Sequence, residues 1–231
     1  MPATSRCPRQ ALLELASTCG DRIQISPEAN GARVRLAELE FLHSFVSGAW
    51  ARRARQSQQA LLKACNNKQR KIRHILDLTA GWGLDAFILA SHGQRVTLLE
   101  YQPLVHAVVA YSLERLRRTD AGAEVAARMQ LRQQAAKAYL EQVPRQHDID
   151  CIYIDPMFAA RKSGAKPGKE MQVLQALTEN LDLEACFERA LETARKRVVV
   201  KRPARSAAFA AVAPDLVYRE KTIRFDVYLT A

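Results

Sequence analysis

The sequence predicts an α/β fold: a mostly parallel seven-stranded sheet flanked by helices, with an antiparallel hairpin at its C-terminal edge and a small lobe in front. Three observations carry this. Seven short apolar runs recur after residue 71, at 72–78, 96–99, 129–131, 149–154, 198–200, 216–218 and 225–229. Helical stretches such as "LVHAVVAYSLERLRR" and "LEACFERALETARK" lie between the earlier runs, the pattern of a parallel sheet buried on both faces. Only a short link joins the last two runs, which suits a hairpin.

Residues 1–70 lack that rhythm and are expected to form the N-terminal lobe. "RIQISPEANGARVRLAEL" predicts two short strands around a Pro/Asn/Gly turn. "FLHSFVSGAWARRARQSQQALLKACNNK" predicts a loop and then one basic helix ending near Asn66 and Asn67. The remainder, 71–231, is one domain. A chain of 231 residues that is 48% hydrophobic can bury a sizeable core.

No apolar stretch approaches the roughly 18 residues of a membrane span. The first ten residues carry Arg6 and Arg9 and no apolar segment of signal-peptide length. A soluble, cytoplasmic protein is expected. The five cysteines, Cys7, Cys19, Cys65, Cys151 and Cys186, show no paired spacing. That argues against a disulfide framework and a zinc site, and no metal is expected.

The charge points to a polyanionic partner. The formal net charge is +11. No acid occurs between Glu40 and Asp77, while Arg52, Arg53, Arg55, Lys63, Lys68, Arg70, Lys71 and Arg73 fall in that gap. Such segregation suits phosphate contacts to a nucleic acid.

The first chemical motif is "DLTAGWGLDA", in which an apolar run ends at Asp77 and turns on Gly81 and Gly83. With Ala86 it scans as the G-x-G-x-x-A dinucleotide fingerprint, and Glu100 stands at the distance of a ribose-binding acid. Glycines at a strand–helix turn also serve tight geometry alone. A pyrophosphate wants bare amides, yet here Asp77 precedes the turn and Asp85 opens the helix. Two carboxylates suit a ligand carrying an ammonium and a sulfonium. The turn therefore favours S-adenosylmethionine over a nicotinamide cofactor.

The second motif is "YIDPMF". A buried run delivers Asp155 to its C-terminal end, followed by Pro156, Met157 and Phe158. An acid, a proline, any residue and an aromatic resembles the catalytic motif of methyltransferases acting on exocyclic amino groups of bases. Such an amine is a poor nucleophile because its lone pair is delocalised into the ring. Acceptors on its two N–H bonds stabilise the charge that grows as a methyl arrives. Asp155 can supply one acceptor and the Pro156 carbonyl the other, while Phe158 offers a stacking surface.

"DLTAGWGLDAFILASHGQRVTLLE", "YIDPMF", "KSGAKPGKEMQVLQAL", "KRVVVKRP" and "RFDVY" together resemble the small-subunit ribosomal RNA methyltransferase J family. The similarity runs in matching order over roughly residues 40 to 231; the first forty match poorly and read as shortened. The resemblance implies a class I (Rossmann-like) methyltransferase fold over 71–231. It implies transfer of a methyl group from S-adenosylmethionine to N2 of one guanine in 16S rRNA. It also implies cofactor contacts at Leu84, Asp85, Glu100, Tyr101 and Asp155, beside Asp77, Gly81 and Gly83 of the turn. A further pair, Ala135 and Ala136, stands where the family usually has small polar residues, so only main-chain contacts survive there. "RRARQSQQALLKAC" lacks the family's glycine-rich basic stretch.

Arg52, Arg53 and Arg55, with Lys162, Lys166, Lys169, Lys201 and Arg202 around the second motif, are the expected RNA contacts. The other readings are a methyltransferase of the same fold acting on DNA adenine or protein glutamine, and a non-catalytic RNA-binding or assembly protein. Asp155 together with Glu100 speaks against the last. His74, His92 and His147 show no ligand spacing.

Overall fold

The computed structural model describes residues 7–19, 22–56, 59–66, 71–143, 147–156, 167–178 and 183–230. The chain opens on helix α1 (Pro8–Thr18), with a proline in its first turn, where a missing N–H costs nothing. Strands β1 (Ile23–Glu28), β2 (Gly31–Leu36) and β3 (Leu39–His43) form a small antiparallel sheet. The first two fall where two strands were expected. The third was expected to be loop: its inward residues are Phe41 and His43, and a buried histidine hides the apolar alternation.

The expected single basic helix is two, α2 (Gly48–Ala54) and α3 (Ala60–Cys65). The Gln59 side-chain amide donates to the carbonyls of Arg53 and Gln56, at 3.0 and 2.8 Å, and so satisfies the end of α2.

The larger unit then alternates β4 (His74–Asp77), α4 (Leu84–Ser91), β5 (Arg95–Leu99), α5 (Pro103–Arg117), α6 (Asp120–Ala127), β6 (Met129–Arg132), α7 (Ala136–Gln142) and β7 (Cys151–Ile154). Helices α8 (Lys169–Leu177) and α9 (Leu183–Thr193), then β8 (Arg197–Pro203), β9 (Leu216–Arg219) and β10 (Ile223–Leu229), complete it. The sheet order is β6-β5-β4-β7-β8-β10-β9. Strands β4 to β8 are parallel, and β10 runs antiparallel between β8 and β9.

Side chains alternate across this sheet. Ile75, Val96, Leu98, Tyr153 and Val199 face one apolar cluster; Leu76, Leu99, Ile152, Ile154, Val198 and Val200 face the other. Leu12, Ile25, Val34 and Phe41 of the N-terminal segment belong to the first cluster, and α1 packs on α5. The N-terminal segment thus contributes to the first cluster. The strand order reverses between β4 and β7, and open α/β sheets bind ligands at the carboxyl ends of the strands beside such a switch point.

Candidate active site

Asp77, Asp155 and Lys201 stand at or just beyond the carboxyl ends of β4, β7 and β8. They share the sheet face of Ile75, Tyr153 and Val199, because side chains alternate with period two. The register Tyr153↔Val199, continued by two residues, brings Lys201 alongside Asp155. The Lys201 ammonium lies 2.8 Å from Asp155 Oδ2 and 2.8 Å from Asp85 Oδ2. Asp85, in the first turn of α4, also accepts the Tyr153 hydroxyl at 2.7 Å.

Two carboxylates thus share one ammonium. Burial raises both, but Lys201 and the Tyr153 hydroxyl outweigh it at Asp85, which stays below the usual range. Asp155 lacks the second donor and is pushed up, by burial first and by Asp85 as well. The ammonium itself is held charged by the pair despite its burial.

Asp77 is 1% exposed. Burial pushes it up to about 8, against the pull of the Thr79 N–H, which donates to Oδ1 at 2.9 Å. The Thr79 hydroxyl also accepts the backbone N–H of Asp155 at 2.7 Å. One side chain of the glycine turn therefore ties the two motifs together. Nothing in its local pattern marks Thr79; only the β4–β7 pairing brings Asp155 to it.

Gly81 and Gly83 adopt φ of +50° and +74°, a region that other residues occupy only under strain. A Cβ on Gly81 would come within 2.9 Å of Leu174 Cδ2. Glu100, one residue beyond β5, is buried and accepts the Gln102 N–H at 2.7 Å. Burial pushes it up to about 7, against the N–H groups of Gln102, Gly81 and Tyr101. Leu84 opens α4, and Ala135 and Ala136 stand at the start of α7, just beyond β6.

A histidine outside the expected site braces the turn. His43 is fully buried, and burial lowers it to about 4, so its ring is neutral. Its Nε2 lies 2.8 Å from the Trp82 carbonyl and its Nδ1 2.7 Å from Ser112 Oγ. A carbonyl can only accept, so Nε2 carries the proton and Nδ1 accepts from the serine. The Trp82 indole donates in turn to the Glu170 carbonyl at 2.8 Å. His43→Leu is expected to lower stability by about 1–2 kcal/mol, the scale of a buried acceptor left unpaired. Denaturant unfolding of the variant measures this.

The expected RNA contacts divide. Arg52, Arg53 and Arg55 are exposed on and just after α2, and Arg53 is near enough to help lower Asp85. Lys169 is exposed at the start of α8. Lys201 and Arg202 were both expected at the substrate mouth, and the strand sends them to opposite faces. Lys201 is 20% exposed and turned onto Asp85 and Asp155. Arg202 lies on the opposite sheet face, 5.4 Å over the Phe209 ring, and donates to the Ala207 carbonyl at 3.0 Å. Neighbours on a strand cannot both face one mouth. Pro156 is buried. Phe158, Lys162 and Lys166 lie outside the described residues.

This sheet order, with a glycine turn after the first strand of the parallel set and an acid after the second, defines a class I methyltransferase. The donor set fits S-adenosylmethionine. Glu100 can accept from ribose hydroxyls, and Asp77 and Asp85 suit a cationic amino-acid end.

Comparison with known proteins agrees. A family model described as "Putative SAM-dependent methyltransferase" matches residues 24–230. Ribosomal RNA small subunit methyltransferase J of Nitrosococcus oceani is 41% identical over 192 residues, covering 80% of this chain and 75% of the relative. The protein of that name from Colwellia psychrerythraea is 40% identical over 189 residues, covering 80% and 68%. The crystal structure of a SAM-dependent methyltransferase from Neisseria gonorrhoeae superposes with a TM-score of 0.70 at 29% identity, covering 90% of this chain and 82% of that one. The chain belongs to the ribosomal RNA small subunit methyltransferase J family. It is an S-adenosylmethionine-dependent methyltransferase.

Proposed function

We propose that this enzyme methylates the exocyclic N2 of one guanine in 16S rRNA, in the cytoplasm. The observation that carries the reading is the joining of Asp155 to the glycine turn through Thr79, at the edge that also holds Glu100. When bound, the cofactor supplies an electrophilic methyl group on its sulfonium. Glu100 accepts from its ribose, with Tyr101 beside it. Gly81, Gly83 and Leu84 shape the cradle, and Asp77 and Asp85 balance the cationic end. Ala135 and Ala136 offer only main-chain groups.

Asp155 Oδ2 is engaged by Lys201, while Oδ1 makes no hydrogen bond among the described residues. That oxygen accepts one N–H of the target amine, and the Pro156 carbonyl accepts the other. Phe158 stacks on the base. The nitrogen lone pair forms the new N–C bond as the methyl–sulfur bond breaks, that bond's electron pair staying on sulfur, and Asp155 takes the excess proton from the amine. Lys201 is a positioning residue here: it fixes the Asp155 carboxylate and favours its ionised form.

The test is transfer of labelled methyl from S-adenosylmethionine to unmodified small subunits and to naked 16S rRNA. Label in the rRNA is expected. Label confined to ribosomal protein overturns the reading.

Arg52, Arg53 and Arg55 are the proposed phosphate contacts beside the mouth, with Lys169. Neutralising the three arginines together is expected to flatten the salt dependence of RNA binding by roughly 2–3 units of log–log slope. Filter binding across a salt series reads this, and cofactor affinity should stay near wild type.

A further inference from the structure

The parallel strands carry the site at their carboxyl ends. Their opposite ends form a second charged surface. Arg128 precedes β6, Arg95 opens β5, Arg73 precedes β4, and Arg195 and Lys196 precede β8. With Lys71 they line a groove of about 730 Å³ that also contains Asp148 and Asp150. Among the described residues, six cations therefore meet two carboxylates, and both carboxylates are already engaged. Asp148 pairs with Arg95 and with His74 Nδ1. Asp150 pairs with Lys196 at 2.7 Å and accepts the Arg73 N–H at 2.8 Å. Lys196 also donates to the Lys71 carbonyl at 2.7 Å, and Arg128 pairs with Glu124.

The acids thus fix part of the row and leave the rest uncommitted. Lys71, Arg73 and Arg195 are exposed, and their side chains have no partner among the described residues. From β6 to β8 the row crosses four inter-strand spacings, about 19 Å at about 4.8 Å each. That length matches on the order of five phosphates of one helical strand. Among the described residues lining the groove none is aromatic, and phosphate contact is the chemistry they support.

We propose that this edge of the sheet is a second RNA-docking surface, which grips the backbone of a structured segment flanking the target. The inference rests on the rRNA reading above. The four- and five-residue strands β4, β5 and β7 separate the two ends of the sheet by roughly 13–17 Å at about 3.3 Å per residue. Only an RNA extending well beyond the target nucleotide reaches both. Such a surface holds the substrate without reading its sequence.

The test combines Lys71→Gln, Arg73→Gln and Arg195→Gln, all exposed changes. Binding is measured on full-length unmodified 16S rRNA, on assembled unmodified small subunits, and on a short hairpin carrying the target guanine. For the full-length RNA, the log–log salt slope is expected to fall by roughly 2–3 units and affinity at low salt by tenfold or more. The hairpin should bind the variant as it binds wild type, and the melting temperature and cofactor affinity should not move. An unchanged slope on full-length RNA overturns the proposal. So does equal weakening on both RNAs, or weakening confined to assembled subunits, which would mean a protein contact. Because binding is read without turnover, a failure of methyl transfer would count against the proposed reaction and leave this result interpretable.

Discussion

Asp155→Ala is expected to keep its fold and lose turnover by on the order of a hundredfold or more at saturating S-adenosylmethionine. Asp155 lies just beyond the end of β7, its backbone N–H accepted by the Thr79 hydroxyl and one carboxylate oxygen held by Lys201. A truncation there removes both the acceptor for the amine and the acceptor for its proton. Asp155→Asn is expected to be milder, because an amide oxygen still accepts a hydrogen bond. The proposed site also places Asp155 beside the cofactor, so rates are compared after each variant's own affinity is known. Near wild-type single-turnover methylation by saturated, folded Asp155→Ala protein would remove Asp155 from the chemistry.

Glu100→Ala is expected to weaken S-adenosylmethionine binding by roughly 1.5–3 kcal/mol, the scale of a lost hydrogen bond to a charged group. The same carboxylate sets a pH dependence. Glu100 and Asp77 are raised to about 7 and about 8 by burial. Folded, they bind protons more tightly than in the unfolded chain. Cofactor-free protein should therefore lose stability as pH rises from the ordinary carboxylate range through those values. Cofactor affinity moves the other way, rising through about 7 and about 8, because ribose hydroxyls and a cationic ligand both favour ionised acids. Glu100→Gln should flatten the lower step and leave the upper one. Calorimetry across pH tests this; unchanged affinity in Glu100→Ala would take Glu100 out of the site.

The parallel sheet was legible because strands buried on both faces read as uninterrupted apolar runs, and all seven runs coincide with strands. The acids that end or follow such runs, Asp77, Glu100 and Asp155, were legible for the same reason: a charge at the end of a buried strand stands out. What escaped depends on pairings distant in sequence. No local pattern in "LEFLH" singles out His43, yet it is the buried brace of the Trp82 carbonyl, 39 residues away. The split of the basic helix depends on one glutamine side chain folding back on its own segment. Lys201 and Arg202 read as a basic pair, whereas the pleat sends one to Asp155 and the other to Phe209. Period two was available in the sequence. The identity of each face came only with the packing.

The central claim is that this site presents the N2 amine of a guanine to the methyl donor. Its most direct test is the identity of the modified nucleoside. Unmodified small subunits and naked 16S rRNA are incubated with enzyme and labelled S-adenosylmethionine, digested to nucleosides, and resolved by liquid chromatography and mass spectrometry. The account predicts label in N2-methylguanosine at a single position, formed more slowly by Asp155→Ala, by on the order of a hundredfold or more. Label in N6-methyladenosine, or in a ring carbon or ribose hydroxyl, would contradict it.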